Sequence, residues 1–189
     1  GHPAISRRSV FHALNQKAVA RIYASSAGKK YEEINLIIAH MGGGISVGAH
    51  KKGRVIDVNN ALDGDGPFSP ERSGGLPAGQ LAELCFSGKY SHSEIKNMIT
   101  GKGGMVAYLG TNSFKNVCSM AENGDKKAIL IRDAVSYQVA KEIGAMASVL
   151  HGNVDAIILT GGMAYQESNI KAIRSMVEYI SEVAVYPGE

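Results

Sequence analysis

Residues 34–59 contain three short runs rich in β-branched and apolar residues, written INLIIAHM, GISVGAH and GRVIDVN. Three consecutive glycines, residues 42–44, join the first two runs, and the tripeptide KKG, residues 51–53, joins the second to the third. Connections this short return neighbouring strands antiparallel. This stretch therefore predicts a three-stranded antiparallel meander, and it constrains the fold more than any other part of the sequence.

The rest of the chain combines helical patterns with two further β-like runs. VDAIILT, residues 154–160, is continuously apolar, as expected of a strand buried on both faces, and a helical pattern over 168–180 leads from it to VAVYP, residues 183–187. Helical periodicity also covers residues 5–24, 77–87, 91–100, 113–122 and 125–150. This order predicts an α/β fold of the ribonuclease H-like type, in which helix-linked parallel strands extend the antiparallel meander and helices cover both faces.

The first helical pattern, over residues 5–24, has Ser6 as a candidate N-cap. We expect one apolar stripe of this helix to be buried, formed by Val10, Phe11, Leu14, Ala18, Val19 and Ile22. His12 lies beside Phe11, and a single histidine on a half-buried helix is usually structural. Four further histidines fall at the terminus, in turns or at helix ends, and we predict a surface position for each: His2, His50, His92 and His151.

Composition excludes several classes of partner. The 189 residues, 44% hydrophobic and 20% charged, can form one sizeable core or two small ones. The net charge is only +3, and the basic residues are interspersed with acids, so neither a nucleic acid nor a membrane surface is an expected partner. No apolar run reaches the roughly 18 residues of a membrane span. The two cysteines, Cys85 and Cys118, form no CxxC pair, which favours a reducing, cytoplasmic compartment.

Two groups of glycines suggest a nucleotide site. Gly42, Gly43 and Gly44 carry no Cβ atoms, so successive N–H groups can point at one anion and phosphate oxygens can approach closely. A turn that needs glycine only for its conformation is the alternative. Gly161 and Gly162 end a buried strand and precede a helix, the position where open α/β sheets commonly bind ligands. Two such loops in one domain indicate sites for the two ends of a nucleotide.

A long irregular loop, residues 57–77, follows the third β-like run. Loops of this length inside compact domains are often functional. Its Arg72 could clamp a carboxylate or a phosphoryl group through two hydrogen bonds, although spacing alone favours a solvated surface arginine. His40 closes the first β-like run beside the glycine triplet, and both a structural role and a role at a bound anion stay open for it. HExxH does not occur in the sequence.

Four stretches together resemble the butyrate kinase branch of the acetate kinase family, within the superfamily of sugar kinases, chaperone ATPases and actin. They are PAISRRSVFHALNQKAVAR, NLIIAHMGGGISVGAHKKGRVIDVNNALDGDGPFSPERSGGLP, GKGGMVAYLGTN and AIILTGGMAY. The resemblance implies the second of the family's two domains. Residues 1–30 would then be a helix leading in from a missing first domain, and residues 31–189 the ribonuclease H-like, nucleotide-binding second domain. It also implies a homodimer or larger assembly through this domain.

The activity that the resemblance implies is reversible transfer of the γ-phosphoryl group of ATP, with magnesium, to a short-chain carboxylate such as butyrate or a branched relative. The attacking carboxylate is already ionised at neutral pH, so no general base is needed and catalysis depends on positioning and charge neutralisation. Acetate or propionate as the preferred acid, and a non-catalytic nucleotide-binding protein of the same superfamily, are the alternatives. One domain alone is not expected to turn over, because closure over the substrate needs both.

The resemblance assigns the phosphoryl-transfer residues one by one. Arg72, in ERSGG, matches the family's arginine that stabilises the transferring phosphoryl group. His12, in VFHAL, matches a histidine near the same group, and His40 with the triplet matches the phosphate-binding hairpin. We therefore expect these side chains to lie together and to act in catalysis.

The resemblance also assigns the nucleotide and metal side of the site. Asp57 matches an aspartate near the metal and the phosphates, while Gly161 and Gly162 match the loop that packs against adenosine. Acetate kinases carry a glutamate near the magnesium at the position of Tyr165, and Glu167 comes two residues too late to replace it. No residue of this chain is therefore assigned as a metal ligand.

Overall fold

A computed structural model describes residues 2–6, 8 and 10–188 of the chain. Its helices are α1 (Ala13–Ser26), α2 (Ala78–Phe86), α3 (His92–Ile99), α4 (Gly104–Leu109), α5 (Phe114–Glu122), α6 (Lys126–Val149) and α7 (Glu167–Val177). Its strands are β1 (Asn35–Met41), β2 (Ile45–Lys51), β3 (Arg54–Val58), β4 (Ala156–Gly161) and β5 (Val183–Pro187). Short 3₁₀ helices cover Tyr31–Glu33 and Gly162–Tyr165. No helix in this described part of the chain is long and apolar enough to cross a membrane.

The five strands form one sheet in the order β3-β2-β1-β4-β5. β1, β2 and β3 pair antiparallel, whereas β4 pairs parallel with β1, and β5 pairs parallel with β4. Lys52 and Gly53, with φ of 47° and 81°, form the turn between β2 and β3, as a two-residue hairpin of the mirror-image type requires. The predicted meander and its parallel extension are confirmed.

Helices cover both faces of the sheet. One core cluster joins the sheet to α5, α6 and α7, with Ile37 and Ile157 among its strand residues. The other joins the opposite face to α1, with Leu36 and Ile158 among its strand residues. Successive side chains of a strand point to opposite faces, so a strand covered on both faces must be apolar throughout. The predicted α/β fold with two helical layers is therefore confirmed.

The first helix begins later than predicted. α1 starts at Ala13, so His12 occupies the N-cap position, without a side-chain capping bond. Ser6 lies outside the helix, since residues 2–5 form a separate turn closed by a bridge between His2 and Ile5. The predicted start of this helix at residue 5 is therefore wrong, and α1 begins at Ala13. The short helix α4 was not predicted at all, because its six residues are too few to show periodicity.

The prediction of which residues of α1 are buried was also partly wrong. Leu14 is 90% exposed and Ile22 is 54% exposed, whereas Val19 is buried as predicted. The face that contacts the sheet consists instead of Gln16, Val19, Ala20 and Ala24. Small alanines let the helix approach the sheet closely, but they add little to an apolar pattern. A stripe of larger residues on the neighbouring face consequently dominated the prediction.

The surface position predicted for His50 is wrong, whereas His2, His92 and His151 are exposed as predicted. His50 is fully buried. One ring nitrogen, Nδ1, lies 2.7 Å from the Tyr31 hydroxyl, and the other, Nε2, lies 2.9 Å from the side-chain oxygen of Gln16. Buried polar groups need such partners, and α1 together with the 3₁₀ helix before β1 provides them here.

Candidate active site

The glycine triplet forms the turn that connects β1 to β2. The Gly42 N–H donates to the Gly44 carbonyl at 3.0 Å, which closes the turn. The hydroxyl of Ser69, in the long loop after β3, donates to the Gly43 carbonyl at 2.7 Å. The turn is therefore held by its own backbone and by the loop that carries Arg72.

Arg72 lies directly against this turn. A Cβ atom on Gly44 would be 2.1 Å from Nη1 of Arg72, so the guanidinium occupies space that only glycine leaves open. Nη1 also donates to the Ala61 carbonyl at 3.4 Å, and the Arg72 carbonyl accepts from the Ser69 N–H at 3.0 Å. Burial lowers the pKa of Arg72 while neighbouring Glu71 raises it, and a guanidinium stays charged in proteins. A solvated surface arginine does not describe this residue.

The two predicted histidines stack on each other. The ring centroids of His12 and His40 are 4.0 Å apart, with 23° between the ring planes. His12 Nδ1 lies 2.9 Å from Ser46 Oγ, and His40 Nδ1 lies 2.9 Å from Asn15 Oδ1. Burial, with a smaller contribution from His12, lowers the pKa of His40 to about 4, so His40 is neutral at pH 7. The other ring nitrogen of His40, Nε2, is buried without a hydrogen-bond partner among the described residues.

The structure brings the two glycine loops together. Gly42, Gly43 and Gly162 line one open cleft of about 250 Å³, together with Pro70, Asn112, Phe114, Lys115, Met163 and Gln166. β1 and β4 are parallel neighbours, with His40 opposite Thr160, so the loops that follow them leave the sheet at the same edge. Gly161 has a φ of +89°, and a Cβ atom there would be 2.5 Å from the Met41 carbonyl oxygen. The second loop therefore packs directly on the strand that leads into the triplet.

Three polar residues of this region were missed by the sequence reasoning. The Asn112 amide donates to Glu71 Oε1 at 2.6 Å, and Glu71 Oε2 lies 3.8 Å from the position of a Cβ atom on Gly43. Lys115 adds a cation to the same cleft. Glu71 could have been noticed beside Arg72, whereas Lys115 lies in an ordinary amphipathic helix and gave no signal. Magnesium is usually bound by one or two carboxylates together with substrate phosphates and water, and the Glu71 carboxylate fits that requirement.

Asp57 lies in a different place from the triplet. It pairs with Ala49 across the sheet, and its carboxylate accepts from the Val58 N–H at 2.8 Å. It lines a second cleft of about 570 Å³, together with Arg8, Phe11, Lys17, Gly53, Arg54, Val55, Ile56 and Val58. β3 is antiparallel to β2 and runs back toward the glycine turn, but Asp57 lies opposite Ala49, five residues along β2 from Gly44. Asp57 is not among the residues that line the cleft of the two glycine loops. A role for Asp57 near the metal and phosphates stays a prediction.

Known proteins resemble this chain over its whole length. Butyrate kinase 1 of Clostridium acetobutylicum is 61% identical over 189 residues, which are 100% of this chain and 53% of that protein. Butyrate kinase 2 of the same organism is 58% identical over the same span. The chain therefore spans about half the length of the curated relatives that it matches.

Solved structures share the fold. The acetate kinase of Porphyromonas gingivalis superposes with a TM-score of 0.88 at 23% identity, over 97% of this chain and 53% of that one. A propionate kinase from Francisella tularensis gives a TM-score of 0.83 at 23% identity, over 98% and 57%. The family model described as the acetokinase family matches residues 4–184. Because this match includes nearly every residue, the chain belongs to the acetokinase family.

Proposed function

We propose that this chain is the nucleotide-binding part of a kinase that transfers the γ-phosphoryl group of ATP to a short-chain carboxylate. The observation that carries the proposal is the guanidinium of Arg72 held against Gly44, in a turn whose neighbouring glycines share a cleft with Gly162. A permanent cation and a bare backbone turn are the two features that a transferring phosphoryl group needs from the protein. Membership of the acetokinase family supports the same activity.

Each residue has a role that follows from its chemistry. The triplet holds the phosphates through backbone N–H groups, and the loop at Gly161 and Gly162 holds the adenosine end. The carboxylate substrate attacks the γ-phosphorus as the bond to the β-phosphate oxygen breaks, and Arg72 donates to the equatorial oxygens on which charge is spread. His12 and His40 flank these oxygens, and His40 does so as a neutral polar group. No proton has to be removed from the nucleophile.

Magnesium bound with ATP would neutralise charge on the phosphates. Among the residues at the triplet, the Glu71 carboxylate would hold such an ion, directly or through water. Asn112 fixes the orientation of this carboxylate through its amide. Glu71 therefore extends the set of residues that we assign to the metal and phosphate end.

Butyrate, or a branched acid of the same size, is the proposed substrate. The support is the identity of 58–61% to proteins named butyrate kinases. One methylene in an apolar pocket changes binding by only about 1–3 kcal/mol, so related acids are expected as weaker substrates. We also propose that the protein is cytoplasmic and that it self-associates through this domain. Light scattering of the full-length protein tests the self-association.

The decisive experiment measures ATP-dependent acyl hydroxamate formation by the full-length protein that contains this chain. Acetate, propionate, butyrate and isobutyrate are compared at fixed magnesium, with Arg72→Ala and Arg72→Lys as the test variants and Arg174→Ala as a control for loss of an exposed arginine. We expect the highest kcat/KM with four-carbon acids and a loss of at least 100-fold (order of magnitude, about 3 kcal/mol) in Arg72→Ala. ATP binding without any acyl phosphate formation would instead identify a non-catalytic nucleotide-binding protein.

A further inference from the structure

A buried chain of hydrogen bonds runs from the core to His12. Tyr31, His50, Gln16 and Ser46 are its members, and each is at most 4% exposed. The contacts are Tyr31 Oη to His50 Nδ1 at 2.7 Å, His50 Nε2 to Gln16 Oε1 at 2.9 Å, and Gln16 Nε2 to Ser46 Oγ at 3.0 Å. Ser46 Oγ then lies 2.9 Å from His12 Nδ1. None of the first four residues has a role in the chemistry proposed above.

Gln16 determines which atom donates in each hydrogen bond of this network. Its Nε2 also donates to the backbone carbonyl of Ser46 at 3.1 Å. The opposite orientation of the amide would place two carbonyl oxygens against each other, so Oε1 must face His50. His50 Nε2 therefore carries the hydrogen and Nδ1 accepts from Tyr31. Burial lowers the pKa of His50 to about 4 and raises that of Tyr31, and both shifts agree with a neutral imidazole and a protonated phenol.

The same assignment of donors and acceptors extends to His12. Gln16 uses both amide hydrogens on Ser46, one on its carbonyl and one on its hydroxyl oxygen. Ser46 Oγ accepts from Gln16, and the hydroxyl hydrogen of Ser46 can then be directed at His12 Nδ1, 2.9 Å away. A neutral imidazole that accepts at Nδ1 carries its hydrogen at Nε2. That tautomer offers a donor to an anionic oxygen, whereas the opposite tautomer would present a lone pair and repel the anion.

We infer that Ser46, oriented by Gln16, is a positioning residue that holds His12 in the tautomer with hydrogen on Nε2. The inference deepens the proposed function and rests on it for the consequence in turnover. Gly48 supports it independently, since a Cβ atom there would be 2.6 Å from Gln16 Oε1. The sequence of β2 thus leaves space for the glutamine that directs the serine.

The test measures the tautomer directly. In the full-length protein labelled with ¹⁵N-histidine, long-range ¹H–¹⁵N spectra distinguish a protonated from an unprotonated ring nitrogen, and His12→Gln assigns the signal. We expect unprotonated Nδ1 and protonated Nε2 in the wild type. Loss of the hydroxyl in Ser46→Ala should change the tautomer ratio by about fivefold to tenfold, with a matching fall in kcat and little change in KM for ATP. Ser46→Thr keeps the hydroxyl and should restore both values.

Two further variants separate positioning from general damage. Gln16→Met removes the donor to Ser46 and should shift the His12 signals in the same direction by a smaller amount. Ser136→Ala removes another buried serine hydroxyl, which donates to Asn169 at 2.8 Å on the other helical layer, and should leave the His12 signals unchanged. Unchanged signals in Ser46→Ala, or hydrogen on Nδ1 in the wild type, would overturn the inference. A protein without kinase activity would refute the proposed function. The His12 tautomer, read from the ¹H–¹⁵N spectra, would still test the positioning role of Ser46.

Discussion

Gly161 should be far less replaceable than Gly162, although the two are neighbours in one loop. The backbone of Gly161 has a φ of 89° and a ψ of 176°, a region that is essentially restricted to glycine. A Cβ atom there would be 2.5, 2.7 and 2.8 Å from the carbonyl oxygen, carbonyl carbon and nitrogen of Met41. These are backbone atoms of the fully buried strand β1, so they cannot turn aside. A Cβ atom on Gly162 would have no heavy atom within 4 Å.

The cost of Gly161→Ala has two parts. Backbone strain contributes about 1–3 kcal/mol and overpacking against Met41 a further 1–3 kcal/mol or so, which predicts a loss of about 2–6 kcal/mol in the free energy of unfolding. Urea denaturation of the purified chain measures this value, with Gly162→Ala as the control, expected within about 1 kcal/mol of wild type. Equal stability of the two variants would refute the argument that backbone contact, and not nucleotide binding, requires glycine at this position.

Two other predictions use the same structure. Gly44→Ala would place a methyl group on the flexible end of Arg72, so the guanidinium should move; we expect phosphoryl transfer to fall at least tenfold (order of magnitude) with unfolding free energy changed by less than about 1 kcal/mol. His40 and His50 are neutral in the fold, with pKa values near 4 against 6.5 for a free imidazole. The unfolded chain therefore binds more protons as the pH falls from 6.5 to 4, and each histidine should remove about 1.4 kcal/mol of stability per pH unit. Urea titrations across this range should show a slope smaller by about 1.4 kcal/mol per pH unit in His50→Gln than in the wild type, and an unchanged slope would contradict the assignment.

The strands were predictable because their burial is reflected in nearly every residue. β1 and β4 are covered on both faces, and a continuous apolar run has few other interpretations when short glycine-containing turns bound it. The meeting of the two glycine loops followed as well. Parallel neighbours end at the same edge of a sheet, so the residues after Met41 and after Thr160 had to lie close together.

The position of Arg72 could not be derived from spacing. It lies in a loop of about 20 residues whose path depends on contacts distant in sequence, such as the Ser69 hydroxyl on the Gly43 carbonyl. Only the match of ERSGG to a family motif indicated that the arginine lies at the phosphate end. Lys115 is part of no such motif, and only the packing of its own helix, α5, shows that it lies beside the triplet.

The surface position predicted for His50 was wrong because the polar face of β2 is buried. Ser46, Gly48 and His50 alternate with apolar residues, and that alternation normally marks a strand with one face in water. Here the polar face is covered by α1, which presents Gln16 to all three positions through two hydrogen-bonded contacts and one close approach to Gly48. An apolar helix face could not satisfy a buried serine and histidine, so a glutamine replaces it. The polar alternation was therefore a signal of a buried network connected to His12, and a glutamine at a helix position facing the sheet was the sequence feature that could have revealed it.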